Sequence, residues 1–284
     1  MRGSLEAMGV TDRCVLGRVA VVIGAIVACS VPAAAMGALV PSAALDLNVG
    51  PSQPAVPPIS RLTPATGPNA TAYSYNWSGY VASAGTETFT AVTSTYVQPP
   101  VRCPVSGAYT VFWVGLDGWY NNTVEQDGTL AYCNGSTPEY SAWWEMYPTN
   151  YIQWSIPISP GDTIQALARY AQGQYVLTVR DKTKRTHTTT HQLCAPTLVC
   201  ARSTAEWVIE RPGYGGNNFA PLADWGTMTV PVDKASARGS LLAMKSFSHF
   251  GVDMMNNGFS YELATVGELN AHGNSFLDSW DATS

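Results

Sequence analysis

Charged side chains are scarce in this 284-residue chain, and the usual signatures of hydrolases are missing. Asp, Glu, Lys and Arg make up only 12% of the residues, and the formal net charge is −5. No basic stripe is available to neutralise phosphates, which argues against nucleic acid as a partner. The sequence has no HExxH zinc motif, no Asp-Thr-Gly of the pepsin type and no GxSxG nucleophile elbow. These absences exclude the commonest motif-based hydrolase mechanisms.

Metal-ligand spacing is also missing. There is no CxxC pair, so a structural zinc site is the weaker reading of the cysteines. His187 and His191 are four residues apart, which places both on one face of a strand. Two histidines without a third ligand make a weak metal site, and a solvated hairpin is the better interpretation. We therefore predict no metal and no cofactor.

The N-terminus has the pattern of an export signal. Arg13 and Arg18 precede the apolar run Val19–Ala28, and small residues cluster at Ala33–Ala35. A basic segment, a short apolar segment and a small-residue cleavage site are typical of a secretory signal peptide. We predict a signal peptide over residues 1–35 and a secreted, extracellular protein.

Two alternatives to free secretion stay open. The apolar stretch could continue to Leu39 as an uncleaved anchor, although about 20 apolar residues are needed for a confident span. Residues 26–29 also resemble a bacterial lipobox, in which Cys29 would carry a lipid anchor. Residues 36–70 are rich in Pro, Ala, Ser and Thr, and we interpret them as a linker or short pro-segment. Residues 71–284 suit one all-β domain, since such folds commonly reach about 200–250 residues.

Four cysteines remain after the signal, at positions 103, 133, 194 and 200. An even number in an exported chain predicts two disulfides, with three possible connectivities. Cys194 and Cys200 flank only five residues, which favours a local bridge and leaves Cys103 to pair with Cys133.

Strand patterns dominate after position 75. Short runs rich in β-branched and aromatic residues are separated by breaks rich in Ser, Gly and Pro every 8–15 residues or so, which is typical of a β-sandwich or jelly roll. No helical period persists beyond two turns. The predicted strands are Thr88–Val97, Tyr109–Leu116, Tyr140–Tyr147, Ile164–Tyr170, Tyr175–Arg180, Arg185–His191 and Ala205–Glu210.

Alternation within these strands places carboxylates among aromatic side chains. Because a buried charge is costly unless it is paired or neutral, we expect these carboxylates to be exposed in a concave, aromatic-lined groove. Glu125 falls on the opposite face from its neighbour Gln126, and we assign it no chemistry. The expected one-face sets are Trp113 with Asp117; Ser141, Trp143, Glu145 and Tyr147; and Glu206, Val208 and Glu210.

Five motifs in order resemble those of the eqolisins, glutamic peptidases first described in fungi. The likeness runs from about residue 75 to 230, and the last fifty or so residues match only loosely. The motifs are Asn76–Tyr80, Phe112–Gly118, Thr123–Gly128, Tyr140–Pro148 and Thr204–Arg211.

The resemblance implies an antiparallel β-sandwich of two packed sheets, a lectin-like jelly roll, with the active site on the concave face of one sheet. It implies catalytic roles for Gln126 and Glu206. Residues corresponding to the family's tryptophan, aspartate and aromatic-rich strand would bind substrate or support the pair: Trp113, Asp117, Trp143, Glu145 and Tyr147. It also implies polypeptide substrates, and we expect a monomer without a stable membrane span.

The implied chemistry is acid proteolysis. Glu206 would act as general base toward water, and the Gln126 amide would donate to the oxyanion. An ordinary glutamate pKa of about 4.3 then predicts an acid optimum. A short pre-domain segment in place of a long basic pro-region makes self-inhibition by ion pairing doubtful.

Two other functions fit an aromatic-lined sandwich. A jelly-roll glycoside hydrolase would use two carboxylates, here Glu145 and Glu206. A non-catalytic carbohydrate-binding sandwich would use the tryptophan faces alone. Loss of activity in Gln126→Ala would favour the peptidase over both.

Overall fold

The computed structural model describes residues 71–214, 218–231, 233–237 and 239–284. The predictions for the signal peptide, the possible lipid anchor and the linker concern residues outside these ranges. Within them the chain forms seventeen strands and a 3₁₀ turn at Met244–Ser246. The strands are β1 Thr71–Ser74, β2 Trp77–Ser83, β3 Phe89–Val97, β4 Tyr109–Leu116, β5 Val124–Asn134, β6 Thr137–Tyr147, β7 Ile152–Pro157, β8 Thr163–Ala171, β9 Gln174–Asp181, β10 Thr186–Gln192, β11 Thr204–Glu210, β12 Thr227–Pro231, β13 Lys234–Ala237, β14 Ser240–Ala243, β15 Ser248–Met255, β16 Glu262–Val266 and β17 Ser275–Trp280.

The strands form two sheets. The larger sheet has the order β12-β17-β16-β15-β2-β11-β4-β5-β6-β7, with antiparallel pairing along this path, and β1 adds to β15 in parallel. The smaller sheet has the order β10-β9-β8-β3-β13-β14. This confirms the predicted antiparallel β-sandwich, and each predicted strand is present to within a few residues.

The main core lies between the sheets. Trp207 on β11 is fully buried there, and its indole N–H donates to the Thr93 carbonyl oxygen on β3 at 3.0 Å. Tyr96 on β3 packs against Phe112 on β4, with ring centroids 6.2 Å apart. Aromatic side chains of this size bury about 150–250 Å² each, so these contacts hold the two sheets together.

The central strands of the larger sheet are buried on both faces. Every residue of β4 and β11 is buried, whereas β8 and β9 alternate between more and less buried positions along most of their length. A strand covered on both faces is expected to read as a near-continuous apolar run, as Tyr109–Leu116 does. A second apolar cluster, which includes Trp77, Val81, Trp113 and Phe250, covers the face of the larger sheet that points away from the smaller one.

The described residues form two disulfides. Cys103 pairs with Cys133, and Cys194 pairs with Cys200, which confirms the predicted connectivity. In the described part of the chain, no helix has the length and apolar character needed to cross a membrane.

Candidate active site

A polar row crosses four neighbouring strands of the larger sheet. Glu206 on β11 lies opposite Gly115 on β4, Gly115 lies opposite Gln126 on β5, and Gln126 lies opposite Glu145 on β6. Residues directly opposite each other in antiparallel strands point to the same face. Neighbouring strands are about 4.8 Å apart, so the Glu206 and Gln126 backbones are about 10 Å apart. With no side chain at Gly115, the carboxyl and amide groups face each other across it.

Glu145 orients the Gln126 amide. Gln126 Nε2 donates a hydrogen bond to Glu145 Oε2 at 2.8 Å. A primary amide carries two N–H donors, so one remains after this bond. Gln126 Oε1 is buried and has no hydrogen-bonding partner among the described residues. The amide therefore keeps one donor and one acceptor available on the side of the polar row.

An aromatic row lies directly beside the polar row. Trp113 on β4 is opposite Gly128 on β5, and Gly128 is opposite Trp143 on β6. A Cβ atom placed on Gly115 would lie 2.7 Å from the Trp113 ring, so that ring lies over the glycine between Glu206 and Gln126. The predicted substrate-binding residues Trp113, Trp143 and Glu145 therefore share one face with the predicted catalytic pair.

Glu210 fixes the Trp113 ring. The Trp113 indole N–H donates to Glu210 Oε2 at 2.9 Å, and the Asn76 side-chain amide donates to Glu210 Oε1 at 3.3 Å. Trp77 packs edge-on against Trp113, with ring centroids 4.9 Å apart. Two strands and a buried carboxylate thus hold the ring in a single orientation.

Glu206 is fully buried, and this corrects the expectation that the carboxylates are exposed. Neither of its carboxyl oxygens has a hydrogen-bonding partner among the described residues. Burial raises the pKa of Glu206 well above its ordinary value. The Thr204 hydroxyl lowers this pKa, whereas the charges of Asp117 and Glu125 raise it further. The acid optimum expected from an ordinary glutamate pKa is therefore too low for Glu206. A carboxyl group without an ion-pair partner is stable in such a place because it takes up a proton.

The covering that buries this face comes from the segment between β4 and β5. Trp119 packs on Phe250 at 5.1 Å and on Trp77 at 6.3 Å between ring centroids. Phe250 and Glu206 lie on either side of Val81 in the same cross-strand row. The segment 117–123 therefore folds back over the end of the polar row that carries Glu206.

Asp117 lies at the start of this covering segment. Its backbone has a φ of 72°, and its side chain accepts backbone N–H groups from Arg202 at 2.6 Å and Ser203 at 2.9 Å. Those two residues immediately precede β11, which carries Glu206. The Asp117 carboxylate thus links the end of β4 to the start of β11. Through these backbone hydrogen bonds it positions the strand that carries Glu206.

Tyr147 stands at the edge of the site. It is half-buried and lies opposite Val124 on β5. Burial raises the pKa of Tyr147, and the nearby charges of Glu145 and Glu210 raise it further. A neutral phenol with one accessible edge is suited to line a groove.

Sequence reasoning missed three residues of this site: Glu210, Asn76 and Trp119. Glu210 lies on the expected face but was given no role, and Asn76 was noted only as part of a motif. Trp119 follows Asp117-Gly118, and this turn-like pair was the available signal that the chain reverses there. Its return over the sheet depends on Phe250, about 130 residues later, which local pattern does not reveal.

Metal binding has no support in the described ranges. No group of three or more His, Cys, Asp or Glu side chains is arranged there to hold a metal ion. His187 and His191 are both exposed on β10, at the edge of the smaller sheet. Both lie on the sheet that does not carry the polar row.

These features define a β-sandwich protein with a buried carboxyl–amide site on one sheet face. The chain belongs to the Peptidase A4 family, whose model matches residues 75–262. It is therefore a peptidase, and the resemblance to the eqolisins is confirmed.

Solved structures show the same fold. The chain is similar to scytalido-glutamic peptidase in complex with a transition state analog inhibitor, with 21% identity, a TM-score of 0.64 and coverage of 73% of this chain and 98% of that one. It is also similar to aspergilloglutamic peptidase from Aspergillus niger, with 23% identity, a TM-score of 0.54 and coverage of 61% and 99%. No curated protein matches the chain.

Proposed function

We propose that this protein is an exported glutamic endopeptidase that hydrolyses peptide bonds at acid pH, with Glu206 as general base and Gln126 as oxyanion-stabilising group. The observation that carries the proposal is the placement of Glu206 and Gln126 on either side of Gly115, on one sheet face. Both of the similar solved structures are of glutamic peptidases. Two disulfides support an oxidising, extracytoplasmic location.

The first step is attack of water on the peptide carbonyl. Ionised Glu206 takes a proton from a water molecule held between its carboxylate and Gln126 Oε1. The second N–H of Gln126 donates to the oxyanion of the tetrahedral intermediate, while Glu145 holds the first. One such donor is worth roughly 3–4 kcal/mol of transition-state stabilisation. Glu206 then passes its proton to the leaving amine as the C–N bond breaks.

The pKa of Glu206 sets the acid limit of this activity. Because burial raises that pKa, the ionised fraction falls tenfold for each pH unit below it. The rising limb of kcat/KM should therefore lie above pH 4.5, and the optimum should be mildly acidic rather than strongly acidic. The same raised pKa helps Glu206 to keep the proton taken from water until it is transferred to the leaving amine.

The aromatic row supplies the substrate surface. Trp113 and Trp143 flank Gly128 on one side of the polar row, and Tyr147 lies on the other side of that row, beyond Glu145. Flat apolar faces next to a hydrogen-bonding row suit an extended peptide, whose backbone is polar and whose side chains alternate. The glycoside hydrolase alternative is disfavoured because the Glu145 carboxylate is hydrogen-bonded to Gln126, which lies between it and Glu206 in the polar row.

The test is hydrolysis of denatured protein by the purified chain between pH 3 and 7, with and without pepstatin. We expect pepstatin-resistant cleavage that is lost in Glu206→Gln and reduced about 100-fold or more in Gln126→Ala. Both variants should give the wild-type circular dichroism spectrum. Retained proteolysis in a folded Glu206→Gln protein would refute the mechanism, and sugar hydrolysis without proteolysis would replace it with the glycosidase alternative.

A further inference from the structure

A second buried carboxyl group lies beneath the polar row. Glu125 precedes Gln126 on β5 and lies opposite Leu116, so its side chain points between the two sheets. Its exposed fraction is 1%, and no N–H or O–H group among the described residues donates to either of its oxygens. The mechanism above does not use it. A buried, unpartnered carboxyl next to the oxyanion donor requires a physical explanation.

The groups around Glu125 come from three elements. The polar groups that act on the pKa of Glu125 are Asp117 at the end of β4, Tyr175 on β9 and the Thr123 hydroxyl. Two carboxyl groups form a hydrogen bond only when one of them carries a proton. Asp117 already accepts two backbone N–H groups, from Arg202 and Ser203, so its oxygens act as acceptors, whereas burial raises the pKa of Glu125 well above its ordinary value. The shared proton therefore belongs to Glu125.

Arg202, whose backbone N–H donates to Asp117, carries a positive charge, and its guanidinium is engaged with other groups. Its guanidinium lies 3.6 Å from a carboxylate oxygen of Glu87 and 4.0 Å from the centroid of the Tyr170 ring. It also donates to the Phe89 carbonyl oxygen at 3.4 Å. Arg202 therefore does not neutralise an ionised Glu125 by a direct ion pair.

We propose, on the basis of the function proposed above, that Glu125 is a positioning residue whose neutral carboxyl group donates to Asp117 and thereby keeps Glu206 in place. The path runs from Glu125 to Asp117, and from Asp117 to the backbone that begins β11. Ionisation of Glu125 breaks its hydrogen bond and places a second negative charge against Asp117. The same charge also opposes ionisation of Glu206. Loss of the Glu125 proton therefore causes the fall in activity at the high-pH end of the pH profile.

Electrostatics agrees with this arrangement. Burial raises the pKa of Glu125 well above its ordinary value, and the charge of Asp117 raises it further. Glu125 and Asp117 both contribute to the raised pKa of Glu206. Carboxyl groups that interact this closely in a dry interior do not all ionise together and titrate as a coupled set. The active state then has an ionised Glu206 and a neutral Glu125. It is populated between the rising limb and the falling limb of the pH profile.

The chain supplies a matched control in Asp127. It flanks Gln126 on the other side, is also fully buried, and also has a pKa raised by burial. Its Oδ2 accepts the Leu167 N–H at 3.3 Å on the smaller sheet, away from Asp117. Glu125→Gln and Asp127→Asn thus make the same chemical change on the same strand, and only the first touches Asp117.

The experiment is the pH profile of kcat/KM on a fluorogenic peptide from pH 3 to 8. We expect Glu125→Gln to keep activity within about threefold at the optimum and to move the falling limb up by at least one pH unit. Asp127→Asn should leave that limb where it is, and Glu125→Leu, which is neutral but cannot donate, should lose at least tenfold in kcat at every pH. An unmoved falling limb in Glu125→Gln, or an equal shift in Asp127→Asn, overturns the proposal.

Two readouts distinguish failure of this inference from unfolding of the protein and from failure of the proposed function. Tryptophan fluorescence at each pH distinguishes loss of activity from unfolding. If Glu206→Gln stays active, the proposed function fails; if Glu206→Gln is inactive and the Glu125→Gln profile is unchanged, only this inference fails. Should Glu125→Gln not fold, wild-type protein labelled with ¹³C at glutamate carboxyl carbons gives the test. A glutamate signal that titrates with the falling limb supports the proposal, and its absence refutes it.

Discussion

Gln126 and Glu206 lie two strands apart in one cross-strand row, and the residue between them is Gly115. A Cβ atom at that position would lie 2.7 Å from the Trp113 ring and 3.1 Å from the Gln126 Cβ atom. The ring cannot easily retreat, because Glu210 holds its N–H. The glycine thus leaves room for the Trp113 ring between the amide and the carboxyl group.

Gly115→Ala should therefore damage the site from within. We expect at least a tenfold loss in kcat/KM and a destabilisation of about 1–3 kcal/mol from overpacking. Activity assays and urea unfolding measure the two effects. Gly85→Ala is the matched control, because a Cβ there meets only the Thr88 hydroxyl at 3.8 Å. Equal effects of the two substitutions would contradict the role given to Gly115.

Glu210 should matter through Trp113. Glu210→Leu removes the acceptor of the buried Trp113 indole N–H, at a cost of about 1–3 kcal/mol for the unsatisfied group. Glu210→Gln keeps one acceptor oxygen and should lose less stability. Tryptophan fluorescence should shift in Glu210→Leu, since the ring environment changes. An unchanged spectrum together with unchanged peptide KM would show that Glu210 does not orient the ring.

The period-two pattern predicted which side chains share a strand face, and the resemblance to the eqolisins supplied Gln126 and Glu206 as the expected pair. The pattern put Glu206, Val208 and Glu210 on one face of β11 and Trp207 on the other, and it separated Glu125 from Gln126. It failed on exposure, because Glu206 is fully buried and Trp119 packs on Phe250 in the same cross-strand row. These residues are distant in sequence, and nothing local to either predicts the contact. It also failed on the Glu206 pKa, which is set by that same burial.

The two disulfides should contribute unequally to stability. Cys103 and Cys133 are separated by 30 positions, whereas Cys194 and Cys200 are separated by 6. In the chain-entropy account, the longer loop stabilises by about 3.7 kcal/mol and the shorter by about 2.4 kcal/mol. Replacing each pair by alanines and measuring urea unfolding at one pH compares them. A larger loss from the 194–200 pair would indicate that its contact with Thr123, through the Val199 carbonyl oxygen, outweighs loop entropy.

Stability should fall as pH rises, because of buried carboxyl groups such as Asp233. Its side chain has no hydrogen-bonding partner among the described residues; burial raises its pKa well above the ordinary value, and the Ser94 hydroxyl opposes this shift. The folded state therefore keeps a proton that the unfolded chain releases near pH 4. The stabilisation is fully present below that pH and is lost as pH rises toward the folded-state pKa, at about 1.4 kcal/mol per pH unit for each group.

Substitutions of Asp233 and of Ser94 should change the pH dependence of stability in opposite directions. Asp233→Asn keeps a neutral side chain of the same shape, so the free energy of unfolding should fall less between pH 4 and 8 than in the wild-type protein. Ser94→Ala removes the group that opposes the rise in the Asp233 pKa, so the fall should be steeper. Urea unfolding at several pH values measures both slopes. Parallel curves for all three proteins would mean that Asp233 does not carry its proton into the folded state, and its burial would then require a partner from outside the described residues.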